Sequence, residues 1–390
     1  MSNTTKWIVG VVVLALVVWG LVAKNKNGGE KMVEKKEAGI ELPEVIKLGV
    51  IQGFTGDTAS IGEVFKNVFI LTVDELNQNG GINGKKIELI LEDGKCNGKD
   101  ASTAAQKLVN VDKVQFIIGG TCSGESLAAE PIATAGKTVL ASGSSTNPKL
   151  AGISPYFFRL APNDNAQGQI DAKVAQKNGY KTVAVITEQT EYATGVLNSF
   201  KENFEKLNGT ILSEEFAPGN SNFSTQITKL KSANPDALFI NANGSVPVAK
   251  ILKQIADQNW KPKIILNEVI STDIKFLAEH KDQLEGAFGV EFKTDANNQK
   301  LKALVENYKK RFNSDISYLG FSAANYDLVY LFAEGVKTVG YSGEKLAQWS
   351  RTVKNWQGAL GNITIKPDGD NESAYSAIIV KNGKAEPYTE

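Results

Sequence analysis

The sequence has few of the side chains on which metal and nucleophilic chemistry depend. Its 390 residues include one histidine, His280, and two cysteines, Cys96 and Cys122. A three-histidine zinc site, a four-cysteine centre and a zinc finger are therefore excluded, and we expect no metal site and no cofactor. Lys and Arg total 43, and Asp and Glu also total 43. The chain thus lacks the basic excess of a general nucleic-acid binder.

Motifs of nucleotide binding and acyl transfer are missing as well. Neither G-x-G-x-x-G nor G-x-S-x-G occurs in the chain. Gly119–Ser126 fits the pattern G-x-x-x-x-G-K-[ST] except that Glu125 replaces the lysine, and a carboxylate there would repel phosphates. His280 ends a polar helical stretch with no Ser or Cys motif nearby, so we expect it on the surface. These absences predict that the protein is not an enzyme.

An uninterrupted apolar run, Trp7–Ala23, follows Lys6 and gives way abruptly to a polar stretch. Its length lies between that of a signal-peptide core and that of a membrane span. Residues 1–44 are therefore expected to hold a hydrophobic helix, as a signal anchor or a cleaved signal peptide, followed by a flexible tether. A buried core helix is the third alternative. Either of the first two predicts export, and the absence of a cysteine after the run excludes lipoprotein anchoring.

From Lys47 onward, short apolar segments alternate with segments of helical apolar spacing. The strand Lys47–Gln52 is followed by the helix Gly62–Asn77, and the same alternation restarts at Asn165 and includes a predicted helix at Gly195–Leu207. Two successive βα series of similar length predict an α/β protein with two doubly wound parallel sheets. The length of the chain likewise suggests two domains.

Three loops rich in Gly, Ser and Thr lie at predicted strand ends, at Gly53–Gly62, Gly119–Ser126 and Ser142–Pro148. Doubly wound sheets bind ligands at the carboxyl ends of their strands. Two of these loops run into helix N-termini, where N–H groups and hydroxyls favour a carboxylate or a phosphate. The alternative is that these residues only cap helices, as Asn147 before Pro148 would do.

Export would also allow Cys96 and Cys122 to pair, because they are the only two cysteines in the chain. A bond between them would close a loop of about 27 residues and stabilise the fold by roughly 3–4 kcal/mol in the chain-entropy description. Two buried free thiols are the alternative.

Several segments resemble the leucine/isoleucine/valine-binding protein family, which are type I periplasmic binding proteins of bacterial ABC transporters. The similarity spans about residues 45–385 and is carried by Lys47–Gly62, Asn79–Gly84, Cys96, Cys122–Ser123 and Ser144–Pro148. The resemblance implies a disulfide between the cysteines and two lobes joined by three crossovers. These crossovers would lie near Leu160–Asn163, Val290–Lys293 and Gln357–Asn362. Lobe 1 would comprise residues 45–162 and 292–357, and lobe 2 residues 163–291 and 358–390.

By position, the resemblance implies a site for a zwitterion. Ser123, Ser144 and Thr146 would hold the α-carboxylate and part of the ammonium group. Tyr192 would close over the ligand from lobe 2, and Glu268 would accept the ammonium. Donors at one end and a carboxylate at the other are what a zwitterion requires. The alternatives are a surface aromatic at Tyr192 and a solvated loop carboxylate at Glu268.

Two positions depart from the family where specificity is set. Ile61 and Asn243 stand where family aromatics wall the side-chain pocket. An aliphatic and an amide there reshape the pocket, so branched-chain specificity does not follow. A small polar amino acid, an aromatic acid, and an amide or urea stay open as ligands.

Together these features predict an extracytoplasmic substrate-binding protein that captures a small amino acid or a related compound by hinge closure. Its partners would be that ligand, an ABC permease in the membrane and, if the N-terminal segment is retained, the membrane itself; no nucleic acid is expected. Its place would be the periplasm or the outer face of the cytoplasmic membrane. A membrane-anchored ligand sensor of the same fold is the alternative from another class.

Overall fold

Two β-sheets organise residues 40–389, the part of the chain that the computed structural model describes. The strands of the first sheet are β1 (Val45–Gln52), β2 (Lys86–Asp93), β3 (Phe116–Gly119), β4 (Val139–Ser142) and β5 (Phe157–Arg159). They are all parallel and lie in the order β2-β1-β3-β4-β5. Strands β3 and β4 are buried along their whole length, as is typical of a parallel sheet covered on both faces.

The second sheet repeats this arrangement and adds a hairpin. Its parallel strands are β6 (Thr182–Glu188), β7 (Thr210–Phe216), β8 (Ala237–Asn241), β9 (Lys263–Leu266) and β10 (Phe288–Phe292). A separate two-stranded ribbon of β11 (Trp356–Gln357) and β12 (Asn362–Ile363) comes next along the chain. The strands β13 (Tyr375–Lys381) and β14 (Lys384–Pro387) then complete the second sheet, in the order β14-β13-β10-β9-β8-β6-β7.

The edge of the second sheet is antiparallel, a feature that the sequence analysis did not predict. Strand β13 runs antiparallel to β10, and β14 runs antiparallel to β13. The two-residue turn between β13 and β14 consists of Asn382 and Gly383, with φ of 51° and 73°. Positive φ at both central residues matches the type I′ hairpin turn that Asn-Gly favours. The chain therefore reverses directly here instead of crossing over through a helix.

Helices α1 (Ala59–Gln78), α2 (Gly98–Gln106) and α3 (Ser123–Ala135) connect strands of the first sheet. Those of the second sheet are α4 (Asp164–Lys177), α5 (Glu191–Lys206), α6 (Ser224–Ser232), α7 (Ser245–Asp257), α8 (Glu268–Ser271), α9 (Ile274–Glu279) and α10 (Lys281–Leu284). The last helices are α11 (Gln299–Phe312), α12 (Leu319–Val339) and α13 (Gly343–Ser350). Helices α11 and α12 pack against α1, so this late segment returns to the first sheet.

Both sheets reverse their strand order at an equivalent place, between β1 and β3 in the first and between β6 and β8 in the second. At such a switch point the loops diverge to opposite faces and leave a crevice at the carboxyl ends of the strands. The loops after β1, β3 and β4 are the three predicted loops rich in Gly, Ser and Thr. Opposite them, α5, α7 and α8 begin after β6, β8 and β9.

Within residues 40–389 the chain passes between the sheets three times. The first passage joins β5 to α4, and the second joins β10 to α11. Gln357–Asn362, predicted as the third crossover, instead spans the turn between β11 and β12, and Ile363 still packs in the core of the first sheet. The chain reaches the second sheet only at Tyr375, because this short ribbon first completes the packing of the first sheet. The lobe ranges stay a prediction.

The predicted N-terminal hydrophobic helix and most of the tether lie outside the described residues. Among residues 40–389, no helix combines the length and the apolar character needed to cross a membrane.

Candidate functional site

A pocket between the two sheets brings together six of the seven residues that the sequence predicts for the ligand site. About 400 Å³ of its space is not filled by atoms, part of it open to solvent. The predicted residues in its lining are Ile61, Ser123, Ser144, Tyr192, Asn243 and Glu268. Three of them come from the first sheet and three from the second. The pocket therefore lies where the two switch points face each other.

Ser123 is the first residue of α3 and is buried. Its Oγ accepts hydrogen bonds from the backbone N–H groups of Thr146 and Asn147, at 3.2 and 3.1 Å. The hydroxyl proton of Ser123 is thus left to donate to a ligand. The N–H groups of Ser123 and Gly124 open the helix and have no intrahelical partner, and the helix dipole adds a positive potential there. This end of the pocket favours a carboxylate.

Ser144 and Thr146 differ in how they relate to the pocket. Ser144 lines it, and its Oγ donates to the carbonyl of Gly120 over 3.0 Å. The Ser144 hydroxyl therefore presents acceptor lone pairs to the pocket. Thr146 is fully buried and does not belong to the lining. Its backbone N–H binds Ser123, and its carbonyl accepts from the N–H of Asp164 over 3.0 Å, so Thr146 supports Ser123 through its main chain.

The other end of the pocket holds a buried hydroxyl–carboxyl pair. The hydroxyl of Tyr192, near the start of α5, donates to Oε2 of Glu268 over 2.7 Å. Oε1 of Glu268 has no hydrogen-bond partner among the described residues. Burial, reinforced by the nearby charge of Asp164, raises the pKa of Glu268 well above its ordinary value. An ammonium group beside Oε1 would favour the ionised carboxylate.

An apolar wall joins the two ends of the pocket. It consists of Ile61 together with four residues that sequence reasoning missed, Phe65, Val269, Tyr318 and Phe321. Phe65 follows Ile61 by one helical turn on α1, so the helical period could have indicated it. Nothing local indicates Tyr318 and Phe321, which lie at the start of α12 and reach the pocket only because that late segment returns to the first sheet.

Asn243 lines the pocket, and both the oxygen and the nitrogen of its amide already have a partner. Its Oδ1 accepts from Oγ1 of Thr190 over 3.0 Å, and its Nδ2 contacts Sγ of Cys96 at 3.2 Å. The first contact lies within the second-sheet side, and the second crosses to the first-sheet side. Asn243 thus joins the two sides of the pocket.

A disulfide and a buried carboxyl group constrain the loop that carries Ser123. Cys96 and Cys122 are bonded to each other, and Cys122 lines the pocket. Oε1 of Glu125 accepts from the N–H of Cys96 at 3.0 Å, and Oε2 accepts from the N–H of Cys122 at 2.8 Å. Burial raises the pKa of Glu125 to about 7. The residue that replaces the P-loop lysine therefore organises the disulfide loop.

The single histidine lies apart from the pocket. His280 is partly exposed between α9 and α10, where its ring contacts Phe276 and Nδ1 lies 3.0 Å from Oε1 of Gln283. In the described part of the chain, no three His, Cys, Asp or Glu side chains form a group that could hold a metal ion.

Comparison with known proteins agrees with this geometry. A family model described as "Periplasmic binding protein" matches residues 45–385. The leucine-, isoleucine-, valine-, threonine- and alanine-binding protein of Pseudomonas aeruginosa is 26% identical over 331 residues, which cover 84% of this chain and 87% of the relative.

Two solved structures resemble the chain over its described part. The branched-chain amino acid transporter substrate-binding protein LivJ of Streptococcus pneumoniae, in complex with isoleucine, gives a TM-score of 0.79 at 27% identity and covers 88% of this chain and 98% of that one. A solute-binding protein of an ABC transporter from Rhodopseudomonas palustris, in complex with 3,4-dihydroxybenzoic acid, gives a TM-score of 0.76 at 27% identity. The match covers 88% of this chain and 96% of that one. These two similar proteins hold ligands of different chemical classes.

Proposed function

The chain belongs to the periplasmic binding protein family, and from that premise we propose that it is the extracytoplasmic substrate-binding protein of an ABC transporter with a small amino acid as its ligand. The observation that carries the proposal is the opposed chemistry of the two ends of the pocket. At one end the Oγ of Ser123 accepts two backbone N–H groups, which leaves its proton to donate to a ligand, and at the other end Oε1 of Glu268 has no partner among the described residues. The carboxylate and the ammonium of an α-amino acid satisfy both ends.

The apolar wall supports an aliphatic side chain on the ligand. Ile61, Phe65 and Phe321 are buried hydrophobic residues that pack into the core of the first sheet, and they present carbon atoms to the pocket. Covering them with an aliphatic group removes apolar surface from water at about 25 cal/mol per Å². The relative from Pseudomonas aeruginosa, named for binding leucine, isoleucine, valine, threonine and alanine, supports the same ligand class.

We infer that capture occurs by closure of two lobes around the ligand. Besides the contacts that Asn243 and Tyr318 make across the pocket, two polar contacts at its edge join the two sides. Nδ2 of Asn147 donates to the carbonyl of Glu191 at 2.5 Å, and Nζ of Lys149 pairs with Glu191 at 2.9 Å. The Lys149–Glu191 pair is exposed, and such pairs contribute little free energy. The ligand would therefore supply much of the closing free energy, binding first to the Ser123 side and then to Tyr192 and Glu268.

A ligand without an ammonium group is the second candidate. Because the pKa of Glu268 is raised by burial, its neutral carboxyl could donate a hydrogen bond to an amide, a urea or an aromatic acid. The Rhodopseudomonas palustris protein, which holds 3,4-dihydroxybenzoic acid, supports keeping this class in any ligand screen.

Delivery to a membrane permease and a place in the periplasm or on the outer face of the cytoplasmic membrane complete the proposal. A membrane-anchored sensor of the same fold would bind the same ligand but drive no transport. Deleting the gene and measuring uptake of the identified ligand separates these functions, since only a transport component would lower uptake.

The ligand class is tested by thermal shift followed by calorimetric titration. The panel comprises the aliphatic amino acids, threonine, phenylalanine, benzoate, 3,4-dihydroxybenzoate, acetamide and urea. We expect at least one aliphatic amino acid to raise the melting temperature, since a ligand at about one hundred times its Kd stabilises by about 2.7 kcal/mol. Stabilisation by benzoates or amides alone would contradict the amino acid proposal.

A further inference from the structure

Tyr318 separates the ligand pocket from a second, larger cavity. This cavity, the rear groove, is lined by the start of α9, the end of β10, the connection between α11 and α12 and the turn between β13 and β14, and it holds about 1860 Å³, part of it open to solvent. Tyr318 is the residue that the linings of the pocket and of the rear groove share. Space for a longer ligand therefore exists directly behind this ring.

The ring of Tyr318 is held from several directions. Its φ of 55° lies in the left-handed region, which is uncommon for a bulky residue and is retained only where the surroundings enforce it. The backbone N–H donates to the carbonyl of Thr272 at 3.1 Å, and the hydroxyl donates to Oδ2 of Asp273 at 2.7 Å. The ring meets Phe65 edge-on, with centroids 6.3 Å apart.

Asp273 is itself fixed in place. Its Oδ1 accepts from the N–H of Phe276 at 3.1 Å and so caps α9, while Oδ2 also accepts from Oγ of Ser245 at 2.5 Å. The hydroxyl of Tyr318 thus donates to a residue that does not line the pocket. Its ring is the part of the side chain left to contact a ligand.

We propose that Tyr318 is the specificity-determining end wall of the pocket, which limits the length of the ligand side chain, and that Asp273 holds this wall in position. The inference rests on the proposed amino acid ligand and adds what sets its upper size. Phe65, Phe321 and Tyr318 all belong to the core of the first sheet, but the two phenylalanines do not line the rear groove, so truncating either of them would leave an enclosed cavity. Truncating Tyr318 instead joins the pocket to the rear groove.

The test compares ligands of increasing length on the full chain. Wild type and Tyr318→Gly are titrated with L-valine, L-leucine and L-phenylalanine. Glycine suits the left-handed backbone at this position, and Tyr318→Asn, which also tolerates that backbone, repeats the test with a different side chain. We expect the ratio of the Kd for phenylalanine to the Kd for valine to fall by about tenfold or more in both variants, since small size differences in apolar pockets discriminate by about 10- to 200-fold.

Asn259→Gly is the matched control for the backbone change. Asn259 is exposed and has a φ of 51°, so this variant also places glycine at a left-handed position, but away from the pocket. Its ratio of the Kd for phenylalanine to the Kd for valine should equal that of wild type. An unchanged ratio in folded Tyr318→Gly and Tyr318→Asn overturns the end-wall role. Absence of binding of all three ligands to wild type overturns the proposed amino acid ligand instead, and the inference with it.

The role of Asp273 is tested with Tyr318→Phe, which keeps the ring and removes its hydrogen bond. We expect all three ligands to weaken by a similar factor of about three to ten, with the ratio unchanged. Tyr341→Phe is the control, because the Tyr341 hydroxyl donates to the carbonyl of Lys47 at 2.6 Å, at the opposite end of β1. Wild-type affinity in Tyr318→Phe overturns the claim that Asp273 holds the wall.

Discussion

The hydroxyl of Tyr192 donates to one oxygen of Glu268 over 2.7 Å and leaves the other oxygen without a partner among residues 40–389. Both side chains are buried. Burying an ionised carboxylate without a partner costs free energy, whereas burying a neutral carboxyl costs much less. Burial and the neighbouring Asp164 accordingly raise the pKa of Glu268 well above its ordinary value. Under the proposed function, a ligand ammonium beside the free oxygen would take the place of the proton.

Replacing Glu268 with Gln keeps the shape of the side chain and removes its negative charge. We expect the affinity for an amino acid to fall by about thirtyfold or more, because removing one member of a buried charge pair costs on the order of 2–5 kcal/mol. Calorimetric titration measures the change. Glu291→Gln is the control, because Glu291 is a half-buried carboxyl outside the pocket lining. Equal affinity of Glu268→Gln and wild type would mean that the ligand has no ammonium or binds it elsewhere.

Binding of an amino acid should also release a proton. Burial raises the pKa of Glu268 well above its ordinary value and so favours the protonated carboxyl in the empty protein, whereas a ligand ammonium would favour ionisation. Affinity should therefore increase as the pH rises through the pKa of Glu268, until the ammonium of the ligand itself deprotonates. Titrations in buffers of different ionisation enthalpy should show net proton release in wild type and less in Glu268→Gln. Binding without proton release in wild type would contradict an ammonium at Glu268.

Ser123 and Thr146 should respond differently to substitution. Ser123→Ala removes the hydroxyl that faces the ligand and the acceptor of two backbone N–H groups, so we expect affinity to fall by roughly tenfold or more. Thr146→Val keeps the backbone contacts of Thr146 and should change affinity by less than about threefold. Titration and denaturant unfolding of both variants separate binding from stability. A larger loss of affinity in Thr146→Val than in Ser123→Ala would reverse this assignment.

The alternation of strands and helices could be predicted from sequence because buried parallel strands and amphipathic helices leave distinct apolar periods. The apolar period does not mark the boundary of a helix that begins with polar residues. The helix predicted from Gly195 begins at Glu191, since the side chain of Thr190 caps it by accepting from the N–H of Ala193. Periodicity carries no information about such a cap.

Part of the pocket could also be predicted from the sequence, because the order of strands and helices determines where the loops lie. Loops at strand ends converge by topology alone, which brings Ser123 and Ser144 opposite Glu268. The role of Asn243 depends on a contact with Cys96. The role of Tyr318 depends on its position about 270 residues beyond β1 along the chain. No local pattern encodes contacts of this kind. Thr146 was assigned to the ligand by position, but whether its hydroxyl turns into the pocket depends on packing.

Stability should fall as the pH rises, because several buried carboxyls have raised pKa values. Burial raises the pKa of Asp171 to about 8, although Gln167 donates to it over 3.2 Å. The folded chain thus binds more protons than the unfolded chain at this group, and the stabilisation present at low pH is lost between about pH 4 and 8. Asp171→Asn should flatten this dependence and, relative to wild type, gain roughly 1–3 kcal/mol between pH 5 and 8.

Urea unfolding at pH 5 and pH 8 measures this difference, with exposed Asp282→Asn as the control that should track wild type. Parallel curves for Asp171→Asn and wild type would show that Asp171 is already ionised in the folded protein.

The disulfide between Cys96 and Cys122 should matter more for stability than for the geometry of the ligand pocket. The chain contains no other cysteine, so a reductant acts on this bond alone, and we expect it to lower the free energy of unfolding by roughly 3–4 kcal/mol. Affinity should fall by no more than about tenfold, because Glu125 still accepts from the N–H groups of both residues and keeps Ser123 in place. Reducing the disulfide in the Glu125→Ala variant removes both constraints on this loop, so ligand binding should be lost.

Mass spectrometry before and after alkylation checks whether the two cysteines are bonded at the start. Two thiols that alkylate freely in the oxidised, folded protein would contradict the pairing.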